Sequence, residues 1–549
     1  MPADTPPAPP AEAAAEASPH AGGPAAQARS GTRHAPSRLR RLWWLPGATA
    51  FALLRLPSFV EPHWYTDEAG YAATGREMLS GKLPYKDIWN NKPPLHLATV
   101  GSVVHTLGST ETALHLLTFV FAAIALAAVA YVARHLFVPW KAATAVLVTG
   151  VMLGLPLFDA ELILPESLLI APASWVAAIV IVRLHERRTA GNLWPVAAGL
   201  LAATALCYQQ TALVDTAAVG LILLVHPAAR PRHLLTYAAT VVGATLAWAI
   251  PFAILVGPHT LWYALVGFYT GDYNASSLPG AHGPVLLGLL ALCIAAAVAG
   301  AVLARFRSSS GGGWMLAVWA IATLTVPAAA QQPFAHFLGP TVVPVCLALV
   351  AGLPDRRDAW RSMLGNRARL LTAAPLVGGL LLAGVLARSA GVEWIPEGAS
   401  SGMNTYRNLS TYYVGAFQAW TGQHTWSSWE AEWDLRAPAD TAVSTWIREH
   451  GLAGHSAVVW SSDAWPYLLA DLPVLLPTPP IYNNESLLQS NGGVTKRVAQ
   501  LRPEIIVTEE DDLAYFSDIQ PLLLSSYREV YRSTLDRVYI RSDLSVPSF

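Results

Sequence analysis

The chain has 549 residues, of which 53% are hydrophobic and 13% are charged, whereas a typical soluble domain has about 25% charged residues. The formal net charge is −1, so no overall positive field points to nucleic acid as a partner. The cysteines, Cys207, Cys293 and Cys346, all lie in apolar segments, which excludes a disulfide framework and a CxxC metal site.

Residues 1–41 predict a disordered, basic cytoplasmic tail, because they are rich in Ala, Pro, Gly and Ser and end in a cluster of arginines. The apolar segment that follows lacks a small-residue cleavage site before the next polar loop. We therefore expect a retained helix rather than a cleaved signal peptide. The Ala-rich composition, with Arg favoured over Lys, is typical of a high-GC bacterium.

Long apolar runs recur between residues 42 and 388, and runs of about 20 apolar residues are typical of membrane-spanning helices. Basic clusters separate them and favour the cytoplasmic side of the membrane. The clusters lie at 38–41, 134–141, 183–188, 230–232, 305–307 and 356–369. Eleven spans are predicted, at about 42–59, 112–134, 141–158, 163–184, 193–207, 210–226, 234–256, 284–305, 314–330, 337–353 and 369–388.

The segment 93–108, PPLHLATVGSVVHTLG, decides the topology. Counting it as a span would leave the first basic cluster inside and move the later ones outside, whereas leaving it out puts every cluster on one side. The segment is short and includes His96, Ser102 and His105, so we predict an amphipathic helix lying in the membrane interface. Residues 69–80 are predicted to form a second such helix, with its alanines against lipid.

The last 160 residues lose the long apolar runs. Strands are predicted at 457–460, 504–510 and 537–542, with helices at 440–450, 494–501 and 517–526. We therefore expect residues 389–549 to form an extracytoplasmic α/β domain.

The polar loop between the first two spans gathers reactive side chains. Asp67 and Glu68 are adjacent, and Lys92 with two prolines closes the loop. Both the acidic pair and the lysine also have a non-catalytic interpretation. An acidic pair at a helix start is often a cap that also favours the helix dipole. A lysine beside prolines can extend its ammonium to the membrane interface.

Three motifs in this loop resemble the first outer loop of the GT-C membrane glycosyltransferases, in the superfamily of protein O-mannosyltransferases and aminoarabinose transferases. They are TDEAGY (66–71), REMLSGKLPYKD (76–87) and NKPPL (91–95), and LPESLL (164–169) and QQPFAHFLGP (331–340) match later parts. The resemblance covers roughly residues 42–355. It implies a multi-span α-helical membrane protein with a GT-C-like catalytic domain at 42–388. That domain would have about 11 transmembrane helices and two juxtamembrane helices in the first outer loop, 60–111.

The resemblance implies an enzyme of the bacterial plasma (inner) membrane, a hexosyl- or pentosyltransferase. It would move a sugar from a polyprenyl-phosphate donor to a cell-envelope acceptor, which is a glycan, lipid or protein. Transfer would take place on the outer face, with inversion at the anomeric carbon. Asp67 would be the general base, and Glu68 would position it or hold a metal. Lys92 would bind the donor phosphate, with Arg76 and His336 as helpers.

The remaining cavity-lining residues that the resemblance implies are Tyr71, Tyr85, Glu166, Gln209 and Gln210. Gln209 and Gln210 lie in CYQQTA (207–212), where aminoarabinose transferases have a lysine, so phosphate binding would depend more on Lys92. A divalent metal ion is the candidate cofactor, with Glu68, Glu166 and His336 as candidate ligands. No tight ligand spacing such as HxxxH or DxD supports the metal.

Outside the motifs, Trp426, Trp429 and Trp433 share one helical face, which is typical of packing or of an interfacial anchor. Stacking against sugar rings is the alternative. Asp215 lies inside a span, and Asp272 with Tyr273 lies in the outer loop 257–283.

Two other functions fit the composition. A transporter or flippase of lipid-linked sugars predicts inverted repeats and broken helices near the midplane of the membrane. A non-catalytic membrane scaffold predicts that Asp67→Asn leaves function intact.

Overall fold

A computed structural model describes residues 42–270, 294, 312–329, 335–353, 355, 409–488 and 493–544. The basic tail, the span predicted at 369–388, most of the span predicted at 284–305, and Asp272 with Tyr273 lie outside these residues.

The first part of the chain is a bundle of apolar helices. Helix α1 is followed by a 3-10 turn, Leu56–Val60, and a second 3-10 turn, Gln210–Ala212, precedes α8. Local sequence explains several helix starts: the Thr110 hydroxyl accepts the Ala113 N–H before α4, and prolines open α5, α6 and α9. The helices are α1 Leu45–Arg55, α2 Thr66–Leu79, α3 Pro94–Leu107, α4 Glu111–Leu136, α5 Pro139–Gly154, α6 Pro165–His185, α7 Leu193–Tyr208, α8 Leu213–Val225 and α9 Pro231–Val256.

The chain continues through α10 (Pro258–Trp262), a π-helical turn (Tyr263–Gly267) and α11 (Phe268–Thr270). Next come α12 (Gly313–Thr323) and α13 (Thr325–Ala329). A 3-10 turn, Ala335–Thr341, then leads into α14 (Val342–Gly352).

Within the described ranges, three helices are long and apolar enough to cross a membrane, namely α4, α6 and α9. Each predicted span inside those ranges coincides with a helix, which supports a membrane protein. Of the three, α6 has the largest share of buried residues and α9 the smallest, as expected for a helix with lipid as its solvent. The number of eleven spans stays a prediction.

Both short helices predicted in the first outer loop are present as α2 and α3. They cross at Gly75 and Gly101, where a side chain at Gly75 would come within 2.5 Å of the Leu97 carbonyl. The expectation that the α2 alanines face lipid is wrong. Ala69, Ala72 and Ala73 are fully buried, because α3 and the C-terminal part of the chain cover this helix.

The C-terminal part combines helices with one four-stranded sheet of order β1-β2-β4-β3. Strand β1 runs parallel to β2, and the other neighbouring pairs are antiparallel. Strands β1 and β2 are buried throughout, which explains the apolar sequence of β1 and the apolar start of β2. The strands are β1 Ala457–Trp460, β2 Ile505–Glu509, β3 Tyr527–Arg532 and β4 Asp536–Arg541. The predicted strands correspond to β1, β2 and β4, while β3 was not predicted.

The other regular elements of the C-terminal part are helices. They are α15 Leu409–Trp420, α16 Trp426–Trp433, α17 Arg436–Glu449, α18 Trp465–Leu469, α19 Ile481–Leu488, α20 Gly493–Leu501, α21 Glu510–Tyr515 and α22 Gln520–Ser526, with a 3-10 turn at Ser517–Ile519. Helix α18 packs on α2, and the Trp89 N–H donates to the Pro477 carbonyl at 2.6 Å. The first outer loop therefore lies between the helical bundle and the C-terminal part.

Candidate active site

The start of α2 positions Asp67. The helix begins at Thr66, so the Asp67 carboxylate lies in the first turn, where the helix dipole favours negative charge. Neither residue caps the helix, because the N-cap is Tyr65 and no side chain accepts a capping hydrogen bond. One turn later, the Tyr71 hydroxyl donates to Asp67 Oδ2 at 3.3 Å. The half-buried carboxylate is thus held by a phenol rather than used as a cap.

Lys92 turns into the protein instead of extending to a membrane interface. Its Nζ donates to the Tyr269 hydroxyl at 3.0 Å and lies 5.8 Å from the centre of the Tyr71 ring. The Tyr85 hydroxyl donates to the Lys92 carbonyl at 2.8 Å and so fixes the backbone. The Lys92 ammonium therefore sits in a cage of phenol rings on the same side of the loop as Tyr71, the partner of Asp67.

The charges around Lys92 keep it protonated. Burial lowers the pKa of the Lys92 ammonium, but Tyr269, Glu166 and Asp67 together outweigh burial and raise it above its usual value. Burial also raises the pKa of Tyr269, although Lys92 opposes the change. Burial and then Asp67 raise the pKa of Tyr71 well above the usual range. The site at neutral pH thus presents a cation among protonated phenols.

Glu166 lies in the first turn of α6, beside a small cavity. Its Oε1 accepts a hydrogen bond from Gln209 Nε2 at 2.7 Å, and both side chains are buried. Gln209 Oε1 finds no hydrogen-bond donor among the residues that the structure describes. The neighbouring Gln210 Nε2 donates to the Leu265 carbonyl at 3.0 Å and to the Asn91 carbonyl at 3.3 Å. Gln210 thus connects the segments that hold Tyr269 and Lys92.

The cavity continues from Glu166 to His336 in the 3-10 turn before α14, with Ser167 and Ala160 also in its wall. His336 Nδ1 lies 3.4 Å from Asp159 Oδ2. Burial lowers the pKa of His336, but Asp159 and Glu166 outweigh burial and raise it. Asp159 is buried and has a φ of +53°, a conformation that costs energy for a residue with a side chain.

Two predicted site residues lie elsewhere. Glu68 turns away from Asp67 into the interior, where Oε1 accepts the Ile163 N–H at 2.7 Å. Arg76 faces the C-terminal part, where Nη1 donates to the Tyr467 carbonyl at 2.9 Å and Nη2 donates to the Leu472 carbonyl. The structure therefore brings together Asp67, Tyr71, Tyr85 and Lys92, places Glu166, Gln209 and His336 beside them, and leaves Glu68 and Arg76 outside this group.

The three predicted metal ligands do not meet at one point, because Glu68 turns into the interior while Glu166 and His336 line the cavity. Glu68 Oε1 is used by the Ile163 N–H, and His115 Nε2 lies within 3.4 Å of both Glu68 oxygens. Glu166 Oε1 accepts from Gln209. Over the described part of the chain, no group of three or more His, Cys, Asp or Glu side chains is arranged to hold a metal ion.

The tryptophan face belongs mainly to the core. Trp429 and Trp433 are 1% and 2% exposed and pack edge-on against each other, whereas Trp426 is 49% exposed. The packing interpretation therefore holds for Trp429 and Trp433. Asp215 is buried and accepts the Trp319 indole N–H at 2.7 Å, which gives that intramembrane carboxylate a structural partner.

No sequence motif indicates Tyr269, Asp159 or Tyr65 as site residues. Burial, then Asp67 and Asp159, raise the pKa of Tyr65 well above the usual range, so this phenol also lies among the carboxylates of the site. Tyr269 stands in an aromatic stretch of the predicted outer loop 257–283, close to the Asp272 and Tyr273 that were considered. No local pattern pairs it with Lys92, which lies 177 residues earlier.

Two solved structures align with the chain over most of their length. They are ArnT from Cupriavidus metallidurans in the apo state, with a TM-score of 0.56, and ArnT from the same organism bound to undecaprenyl phosphate, with a TM-score of 0.55. Each is 17% identical to this chain, and each alignment covers 90% of this chain and 97% of ArnT. No protein-family model and no curated protein matches the chain.

The oligosaccharyltransferase of Archaeoglobus fulgidus aligns at 13% identity over 93% of this chain and 76% of its own. Its TM-score of 0.46 is too low to bear on the fold. The ArnT alignments confirm the predicted resemblance to the GT-C membrane glycosyltransferases for the fold. An activity does not follow from a shared fold, so the function depends on the site itself.

Proposed function

We propose that this chain is a membrane glycosyltransferase that transfers a sugar from a polyprenyl-phosphate donor to a hydroxyl acceptor. The main support is the placement of the Lys92 ammonium, 3.0 Å from the Tyr269 hydroxyl, beside the Tyr71 phenol that donates to Asp67. A cation next to a carboxylate supplies both groups that the reaction needs. One group stabilises the leaving phosphate, and the other accepts the acceptor's proton.

Lys92 binds the donor phosphate in this proposal. An ammonium held among protonated phenols is a strong partner for an anion, because the surrounding rings exclude water and leave its charge weakly screened. The raised pKa of Lys92 keeps it charged at neutral pH. ArnT, whose fold aligns with this chain, has been solved with undecaprenyl phosphate bound, and a lipid phosphate of that class is the ligand we infer here.

Asp67 acts as the general base. The acceptor oxygen forms a bond to the anomeric carbon while the bond from that carbon to the phosphate oxygen breaks. The acceptor proton moves to the Asp67 carboxylate, and polyprenyl phosphate leaves with the electron pair, paired with Lys92. A single displacement of this kind inverts the anomeric centre. Tyr71 holds the carboxylate in place before the acceptor arrives.

We propose that the sugar contacts Glu166 and His336, which line the small cavity, called the sugar cavity below. A carboxylate, a histidine and the Gln209 amide offer hydrogen bonds of both polarities to ring hydroxyls. Apolar side chains in the same wall, such as Ile170 and Val342, suit the less polar face of a sugar ring. We further propose that the site opens to the outer face of a bacterial plasma membrane, where a hexose or pentose reaches a cell-envelope glycan, lipid or protein.

The test is a transfer assay in membranes that contain the full chain. A panel of polyprenyl-phosphate hexoses and pentoses is supplied, and both donor consumption and product are measured. Asp67→Asn is compared with Asp511→Asn, which removes an exposed carboxylate on α21. We expect product only with the wild type and Asp511→Asn. If no donor is consumed, or if Asp67→Asn matches the wild type, the proposal is wrong. Donor crossing the membrane without a new glycosidic bond would instead support the flippase alternative.

A further inference from the structure

A cluster of buried ionisable side chains surrounds Glu68, the residue that follows Asp67. It connects the end of α1, the start of α2, the second turn of α4 and the loop before α6. Each member is at most 4% exposed: Arg55, Glu61, Glu68, His115 and Glu161. Burial of so many charges is costly unless they are paired, so their arrangement requires an explanation.

His115 is the centre of this cluster, and its surroundings define its protonation. Nδ1 lies 2.5 Å from the Ser58 carbonyl, and Nε2 lies 3.4 Å from Glu68 Oε2. Both neighbouring atoms are hydrogen-bond acceptors. A neutral imidazole would direct one lone pair at an oxygen, so both nitrogens are protonated and His115 is a cation.

The charge balance agrees with this assignment. Burial, followed by the Glu161 carboxylate, raises the pKa of Glu61 to about 8, so Glu61 is mostly neutral at pH 7. The Arg55 guanidinium lies 3.9 Å from Glu161, and His115 lies 3.3 Å from Glu68 Oε1. The cluster thus balances two cations against two carboxylates only when His115 is protonated.

Glu68 connects His115 to the site. The carboxylate faces His115 on one side and accepts the Ile163 N–H at 2.7 Å on the other. It is the residue directly after Asp67, and the backbone it accepts from belongs to the loop that contains Asp159 and leads to Glu166. The contact therefore fixes the base relative to the sugar cavity.

A second contact reaches the C-terminal part. Glu61 Oε1 accepts the Tyr412 hydroxyl of α15, and Glu61 Oε2 lies 3.9 Å from His115 Nδ1. Tyr412 is 2% exposed. The same histidine thus stands between the α15 contact and the residue next to the base.

We propose that His115 is a positioning residue: as a buried imidazolium it holds Glu68, and so fixes the first turn of α2 that presents Asp67 to the sugar cavity. The role of Asp67 in this inference rests on the proposed function, whereas the contact between His115 and Glu68 does not. The contacts of His115 are to Ser58, Glu68 and Glu61, so we expect its effect to separate from donor binding.

The first test is hydrogen exchange on the full chain in lipid nanodiscs. His115→Gln removes the charge, and Glu68→Gln removes its partner with little change of shape. In both variants we expect amides in 66–71 and 160–164 to exchange on the order of tenfold faster, while those in β1 and β2 are unchanged. His105→Gln, an exposed histidine on α3, should exchange like the wild type. Unchanged exchange at 66–71, or equally faster exchange everywhere, would overturn the proposal.

The second test is the transfer assay with a double-mutant cycle. We expect kcat to fall on the order of tenfold in His115→Gln, with the donor KM unchanged. The double variant, with both His115→Gln and Glu68→Gln, should have a kcat no lower than that of the less active single variant. Additive losses, or a raised KM with kcat unchanged, would contradict a shared positioning contact. A wild type that transfers no sugar would refute the proposed function, whereas the exchange result would still decide whether His115 fixes α2.

Discussion

Tyr269→Phe tests the phosphate site with the loss of one oxygen atom. The Lys92 Nζ donates to this hydroxyl at 3.0 Å, and the hydroxyl donates to the Asn91 carbonyl at 3.4 Å. A hydrogen bond with one charged partner contributes about 1.5–3 kcal/mol. Since about 1.4 kcal/mol corresponds to a factor of ten, the full loss would weaken phosphate binding about 10- to 150-fold. The Tyr71 ring still faces Lys92 in the variant, so we expect a loss of about tenfold, at the lower end of that range.

The assay measures binding of undecaprenyl phosphate to the purified chain in nanodiscs, and the donor KM in the transfer reaction. Tyr515→Phe is the matched control, because that hydroxyl belongs to a tyrosine that is 81% exposed. We expect the KM to rise about tenfold in Tyr269→Phe with a smaller fall in kcat, because the base and its phenol partner are untouched.

The pH dependence gives an independent measurement. Lys92 has a raised pKa, so phosphate binding is complete below that pKa and is lost as the pH rises through it. Tyr269 is the strongest of the groups that raise this pKa against the lowering effect of burial. Removal of its hydroxyl therefore lowers the pKa of Lys92, and the alkaline loss of binding moves to lower pH. If Tyr269→Phe leaves both the donor KM and the pH of the alkaline loss of binding unchanged, the role of Lys92 and Tyr269 is refuted.

Three further variants test other parts of the structure. Asp67→Asn should lower kcat about 10²- to 10⁴-fold while undecaprenyl phosphate still binds, and equal loss of binding would contradict its role as a base. Gly75→Ala should destabilise the fold by about 1–3 kcal/mol in thermal unfolding, because the new methyl meets an α3 carbonyl. The control Gly220→Ala meets no atom within 4 Å and should be neutral or stabilising. Trp319→Phe leaves Asp215 without its indole donor and should cost about 1–3 kcal/mol of stability with an unchanged donor KM.

The helices of the bundle were predictable because apolar runs and basic clusters are local signals. Strands β1, β2 and β4 were also visible, since two are continuously apolar and the third alternates along its length. Strand β3, YREVYR, was not visible, because it lies at the sheet edge and exposes its charged residues. Its conformation follows from pairing with β4, a contact that no local pattern in the sequence indicates.

The site residues also fall into two groups, those that a local motif indicates and those that only the packing of the fold brings in. Lys92 and Asp67 were found because they belong to one loop, whereas Asp159 and Tyr269 join them only through the packing of distant segments. Glu68 was predicted to assist Asp67, and helix geometry explains why the two side chains lie apart. Consecutive side chains on an α-helix point about 100° apart, so Asp67 and Glu68 in the first turn of α2 face different neighbours. Asp67 meets the Tyr71 hydroxyl, whereas Glu68 meets the Ile163 N–H. Glu68 faces inward, and the buried cation that it requires is His115.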